Sequence, residues 1–360
     1  LACAPTSVYN QLREVTKDQR KREGDQRVSK EGEMVKEAPF EVENYGGLVR
    51  VFSDGSVKRA DDPYAKAPLK DDLGSVIWKD YTFDHSFSLQ LRIYRPSSIP
   101  PNKKLSIYIY IHGGGYCYGS RTWTMFHNYC HHLASKLQVV VVAPDYRLAP
   151  ENPLPAAIDD AFTAVKWVQS QFLFKDSASC LIDSADPQRV YLSGDSAGGN
   201  ACHHLSVGLA TLNISPLCIR GYILITPAFG GVRRTYSELL SPLRSLTNME
   251  NFDCLFRLAL PRGSTRDHPL SNPWGPDSMD LALIGIPPML VVVAGRDAFR
   301  DRHLAYVQAL KGMGRDVEMV LFESEKHSFT LFRSDSRANT ELMARIMSFI
   351  VATGGEAGKT

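Results

Sequence analysis

From Leu105 onward, short apolar β-rich runs alternate with stretches of helical periodicity, and this alternation constrains the fold more than any other feature of the chain. Leu105 to Ile111, Val139 to Ala143, Val190 to Leu192, Ile219 to Ile225, Met289 to Ala294 and Val317 to Phe322 read as buried strands. Between and after them, Ala156 to Gln171, Ala197 to Leu212, Arg300 to Met313 and Ala338 to Val351 carry helical spacing. A strand, a helix and another strand in series form a right-handed crossover. Repetition of that unit builds a mostly parallel sheet covered by helices on both faces, an α/β fold. Two earlier strands are expected at Leu48 to Phe52 and Leu89 to Tyr94, with turn signals at Asp54-Gly55 and Pro96. The stretch 230–279, rich in Pro, Arg and Ser, breaks the rhythm and reads as an excursion over the C-terminal edge of the sheet, where such folds bind ligands.

Three segments are expected: a charged N-terminal extension over 1–45, disordered or part of a cap; a single α/β domain over 46–353; and a flexible tail over 354–360. From Gln11 to Glu37 the extension is dominated by charged and amide residues of nearly balanced sign, which cannot nucleate a core. The 360 residues, 44% hydrophobic, suffice for one large core. A net charge of +2 predicts no nucleic-acid partner, and apolar runs as short as Val139 to Ala143 predict no membrane span. Seven cysteines without C-x-x-C pairs suggest neither a disulfide framework nor a zinc ribbon. They fit a reducing compartment, cytoplasmic and also nuclear.

The chemistry concentrates at the ends of the strands. Gly194-Asp195-Ser196-Ala197-Gly198 matches G-x-S-x-G and lies between a strand and a helix. That sharp turn lifts a serine hydroxyl clear of the sheet over a helix N-terminus, which favours developing negative charge. His112-Gly113-Gly114-Gly115 follows an earlier strand. The backbone N–H groups of Gly114, Gly115 and Ala197 are expected to converge on an oxyanion, and each such donor is worth about 3 kcal/mol in a transition state. A phosphate-cradling loop would need a Lys-Ser/Thr that does not follow.

A serine needs a base, and in this arrangement the order is serine, acid, histidine. His303 and His327 are the late candidates. His303 falls inside a helix and is expected at its surface, whereas His327 follows the strand Val317 to Phe322 and is read as the base. Asp297, ending the preceding strand, is read as the acid. Asp301 is its competitor and fits better as a first-turn charge.

Other groupings read as packing. His127, Cys130, His131 and His132, and likewise Cys202, His203 and His204, lack metal-site spacing, and neither a metal nor a cofactor is expected. Asp145 and Arg147 are expected to pair and brace their loop. Tyr116, Tyr118, Trp123 and Phe126, after the glycine loop, are expected to line a substrate pocket, joined by Phe252, Leu255, Phe256 and Leu258. Such a pocket would favour small, moderately apolar esters.

From about Leu48 the chain resembles plant carboxylesterases of the hormone-sensitive-lipase-like group of α/β-hydrolases. The matching segments are His112-Gly-Gly-Gly-Tyr-Cys, Pro144-Asp-Tyr-Arg-Leu-Ala-Pro-Glu151, Gly194-Asp-Ser-Ala-Gly-Gly-Asn200, Arg266-Asp-His-Pro-Leu-Ser-Asn-Pro273, Gly295-Arg-Asp and Lys326-His-Ser-Phe. The resemblance implies the α/β-hydrolase fold, the triad and oxyanion residues above, and an N-terminal segment capping the pocket. It also implies a monomer or dimer acting on a small-molecule ester without a cofactor. At Ser328 many relatives carry Gly. Gibberellin receptors of this group have lost the catalytic histidine, which is present here as His327. Other relatives dehydrate isoflavanones or cyclise alkaloid intermediates in the same pocket, and some hydrolyse hormone esters such as strigolactones.

Overall fold

A computed structural model describes residues 38–65, 74–174, 179–242, 247–332 and 335–354. Most of the charged N-terminal extension and the C-terminal tail lie outside them.

The longest apolar runs form the middle of one eight-stranded sheet. It contains β4 (Val76–Asp84), β5 (Leu89–Pro96), β6 (Leu105–Ile111), β7 (Val140–Pro144), β8 (Ala185–Asp195), β9 (Ile219–Ile225), β10 (Met289–Ala294) and β11 (Val317–Phe322), in the order β11-β10-β9-β8-β6-β7-β5-β4. From β7 to β11 every pairing is parallel, and only β5 runs antiparallel to its neighbours β7 and β4. Every residue of β6, β7 and β10 is buried, as strands covered on both faces require. Three shorter strands, β1 (Glu41–Tyr45), β2 (Val49–Phe52) and β3 (Val57–Arg59), form a separate antiparallel sheet.

The two-residue alternation of a strand divides the core in two. Ile107 and Ile109 face one cluster, which takes in α2 (Ala156–Phe174), α4 (Ala197–Leu209) and α7 (Arg300–Gly312). Tyr108 and Tyr110 face the other, built with α1 (Thr124–Leu137) and α9 (Arg337–Thr353). The remaining helices are short: α3 (Ser179–Ser184), α5 (Tyr236–Leu239), α6 (Met249–Ala259) and α8 (Phe329–Phe332). Among the described residues no helix is long and apolar enough to cross a membrane.

Chain order reverses around β6, whose neighbours are β7 on one side and β8 on the other. Crevices open beyond the carboxyl ends of strands at such a switch point. The glycine loop follows β6 and the serine turn follows β8, so the topology places both motifs at that crevice.

The excursion 230–279 carries the roof. Thr235 caps α5 in a reciprocal box with Glu238, and Asn248 caps α6 by accepting from the Asn251 N–H at 2.8 Å. The Glu238 side chain is fully buried and accepts from Arg302 Nε of α7 at 2.6 Å, with Arg266 at 3.5 Å. Asp253 of α6 pairs with Arg234 and with Arg266. Above α6 lies β1, tied by Arg257 to Glu43 at 2.7 Å, while Tyr45 stacks on Tyr118. Strand β1 thus lies against α6 of the roof, and residues 1–37 of the expected extension lie outside the described ones.

Two sequence expectations are corrected by the packing. Asp145 and Arg147 do not pair: Asp145 binds Arg121, and Arg147 forks onto the buried Asp160 at 2.7 Å. His303 is fully buried rather than at the surface, its Nε2 donating to the Pro227 carbonyl at 2.7 Å.

Candidate active site

The serine turn is shaped by close approach. Ser196 sits at φ 51°, ψ −116°, a conformation rare for any residue with a side chain, immediately before α4. A Cβ on Gly198 would lie 1.9 Å from the Ile111 carbonyl oxygen of β6, so only glycine lets the helix start this close to the sheet.

His327, in the loop after β11, accepts from Ser196 Oγ through Nε2 at 2.8 Å, while its Nδ1 donates to Asp297 Oδ2 at 2.7 Å. The second carboxylate oxygen, Oδ1, accepts from the Phe299 N–H at 2.9 Å. All three side chains are buried. Burial raises the Asp297 pKa, but the adjacent His327 outweighs it, and the carboxyl stays below its ordinary range. Asp301 points elsewhere: it accepts from the Ser237 N–H at 2.8 Å and contacts Arg300, and so helps seat α5 on α7.

Gly115 and Ala197 border the same cavity as Ser196. Gly114, one residue back, has φ +104°, and a Cβ there would meet the Tyr118 carbonyl oxygen at 2.1 Å. As the first residue of α4, Ala197 has a backbone N–H that no turn of its own helix can use. Tyr146 braces the glycine loop, its hydroxyl directed at the His112 and Gly113 carbonyls at 3.0 and 2.9 Å, with its ring stacked on His112.

Asp195 joins the loops. It accepts from the Gly113 N–H at 3.0 Å, from the Tyr110 hydroxyl and from Ser328 Oγ at 3.2 Å. Burial pushes its pKa up against the pull of these donors. Neither Asp195 nor Tyr146 is singled out by the sequence reading, although both lie within motifs it quotes.

The cavity beside Ser196 is part of about 390 Å³ of space between atoms that opens to solvent. Of the four aromatics after the glycine loop, only Tyr116 lines it. Tyr118 stacks on Tyr45 and lies against Trp123, and Phe126 packs in the core against His112. These three are corrected from pocket wall to packing: the chain turns into α1 directly after Trp123, and Tyr118 is taken up by its contacts with Tyr45 and Trp123. From the roof, Phe252, Leu255 and Phe256 line the cavity, while Leu258 is buried without reaching it. Phe252 also meets the His327 ring edge-on at 5.0 Å.

Both histidine–cysteine clusters are largely buried in helices, and among the described residues no group of three His, Cys, Asp or Glu is placed to hold a metal ion.

Comparison with known proteins agrees with this architecture. The model of the alpha/beta hydrolase fold family matches residues 108–331. A 2-hydroxyisoflavanone dehydratase of Glycyrrhiza echinata is 35% identical over 84% of this chain and 94% of its own length. A gibberellin receptor of Arabidopsis thaliana is 31% identical over 78% of this chain and 82% of its own. Among solved structures, an esterase of Pyrobaculum calidifontis superposes with a TM-score of 0.64 at 27% identity, covering 77% of this chain and 85% of that one. The chain therefore belongs to the α/β-hydrolase family, within its hormone-sensitive-lipase-like group.

Proposed function

We propose that this protein is a carboxylic ester hydrolase acting on small, moderately apolar esters. The observation that carries the reading is the unbroken relay from Asp297 through His327 to Ser196, opening onto an apolar cavity. In this reading His327 takes the Ser196 proton as Oγ attacks the ester carbonyl. The N–H groups of Gly114, Gly115 and Ala197 hold the oxyanion, and His327 returns the proton to the departing alcohol. Water then opens the acyl-enzyme by the same steps. Asp297 stays ionised beside the imidazolium, in keeping with its lowered pKa.

The 27% identity to an esterase of the same fold supports hydrolysis. The 35% identity to a dehydratase favours a second reading, in which His327 withdraws a proton from a hydroxyketone, the glycine loop stabilises the enolate, and the hydroxyl leaves as water with the proton that His327 returns as the carbon–carbon double bond forms. The test is labelling by a fluorophosphonate probe, followed by kcat/KM on nitrophenyl esters from acetate to palmitate. Hydrolysis predicts stoichiometric label on Ser196, none on the Ser196→Ala variant, and a maximum among the short chains. Absence of both labelling and ester turnover would overturn it. A maximum at the long-chain end would remove the small-ester assignment.

A further inference from the structure

The cavity wall is almost wholly apolar, with Leu154, Leu255, Phe256 and Leu270 among its residues, and it holds few side-chain hydrogen-bonding groups. Ser271 is one, but its hydroxyl is already directed at the Arg266 carbonyl at 2.9 Å. Tyr116 is another, and its hydroxyl donates to Asn200 Oδ1 at 2.7 Å. In this arrangement the Asn200 amide turns its oxygen to Tyr116. Its Nδ2 is left buried without a hydrogen-bond partner, in a residue only 1% exposed. A buried amide N–H without an acceptor costs about 1–3 kcal/mol, a penalty that a ligand bearing an acceptor would relieve. Asn200 is also rigidly placed, because it sits one helical turn beyond the nucleophile and its own N–H donates to the Ser196 carbonyl at 3.0 Å.

We propose that Asn200 is a specificity-determining residue whose Nδ2 donates to an acceptor oxygen in the acyl half of the substrate. This deepens the ester-hydrolase reading above and rests on it. The acyl half is indicated by the sides of the site. The departing alcohol must leave beside His327 Nε2, which protonates it. Asn200 instead is bound to Tyr116 of the glycine loop, on the oxyanion side of Ser196. The substrate class is an ester whose acyl chain carries a ketone, ether or hydroxyl oxygen a few bonds from the scissile carbonyl, within a cavity whose wall is otherwise apolar. A site built to hydrogen-bond a group discriminates against the analogue lacking it far more sharply than an apolar wall discriminates by size.

The experiment compares kcat/KM for nitrophenyl esters of C5 to C7 acids carrying a ketone at carbon 4, 5 or 6 with their all-carbon counterparts. The wild type should prefer at least one keto ester by about tenfold. Asn200→Asp keeps the shape and the Tyr116 bond but removes both N–H donors, so the ratio should fall to one or below. Asn200→Leu should bring it to one. A wild-type ratio within twofold at every position overturns the proposal, as does a preference that survives both variants or appears only when the ketone lies in the alcohol half. In the Ser196→Ala protein, calorimetric binding of the anilides of 4-oxopentanoate and pentanoate reads the same contact without turnover. If no ester is hydrolysed yet the oxo anilide binds more tightly, the hydrolase reading fails while the Asn200 contact stands. Equal binding of the two removes the contact.

Discussion

Replacing Asp297 with Asn tests the relay through the proton positions on one ring. Asp297 Oδ1 accepts the Phe299 N–H at 2.9 Å and Oδ2 accepts His327 Nδ1–H at 2.7 Å. An amide has a single oxygen, and the Phe299 N–H requires it, so the –NH₂ is turned toward His327. Nδ1 must then accept, and the imidazole proton moves to Nε2, opposite Ser196 Oγ at 2.8 Å, where a base can no longer receive. Turning the amide over would restore the tautomer but strand the buried Phe299 N–H, at about 1–3 kcal/mol, or roughly 5- to 150-fold. Loss of the carboxylate charge beside the forming imidazolium adds to this. The expected fall in kcat for nitrophenyl acetate is about 10⁴, equivalent to about 5.5 kcal/mol. Stopped-flow or steady-state rates on protein with an unchanged circular dichroism spectrum measure it. Asp301→Asn, which disturbs only the Ser237 and Arg300 contacts, should lose less than about tenfold. A loss below tenfold for Asp297→Asn, or a larger one for Asp301→Asn, refutes the reasoning.

Two further outcomes concern stability. His204 is buried, which pushes its pKa down to about 4 from its ordinary value of about 6.5. The unfolded chain therefore takes up the proton first, and stability is lost as pH falls from about 6.5 toward 4. His204 alone contributes about 2 kcal/mol of that loss by pH 5. Urea midpoints at pH 7 and 5 measure it, and a His204→Gln variant showing the same pH loss as wild type would contradict the assignment. Glu238→Gln should lower the unfolding free energy by about 3 kcal/mol, because it leaves Arg302 and Arg266 facing each other without their buried anion. An unchanged midpoint would show that the roof is held by its apolar contacts instead.

The sheet was legible wherever a strand is buried on both faces. The β6, β9 and β10 runs stand out in the sequence with the bounds they have in the structure, because their composition admits nothing else; β11, an edge strand with Glu318 exposed, is also read with its bounds. Strand β4 was missed: it lies at the sheet edge with exposed residues such as Ile77 and Trp78 interleaved among polar ones, and it shows no clean alternation. Helix α1 was missed because Thr124, Phe126, Tyr129 and three histidines are weak helix formers, held helical by burial against β5 and β7. Ser196, His327 and Asp297 could be read from strand ends, a one-dimensional cue. The cavity wall could not be read that way. Trp123 and Phe126 follow the glycine loop in sequence, yet the turn into α1 carries them away, Tyr118 is taken up by Tyr45, and residues 55 to 60 positions beyond Ser196 form the roof instead. The link from Asp195 to Gly113 and Ser328 spans more than eighty residues on one side and more than a hundred on the other, a separation no local pattern encodes.

That link bears on how such a site can diverge. Ser328 holds φ +53°, backbone that glycine adopts without cost, and in exchange its hydroxyl reaches the carboxylate that also holds Gly113. The loop presenting the oxyanion donors and the loop presenting the base are thereby anchored to a single side chain adjacent to the nucleophile. A substitution that shifts one loop drags on the other, so both are poor places to acquire a new specificity. Among the described residues the roof carries no such tether to Asp195, and its wall residues can be exchanged one at a time over an unaltered reaction centre. Descendants of this chain should differ in what they accept far sooner than in how they react.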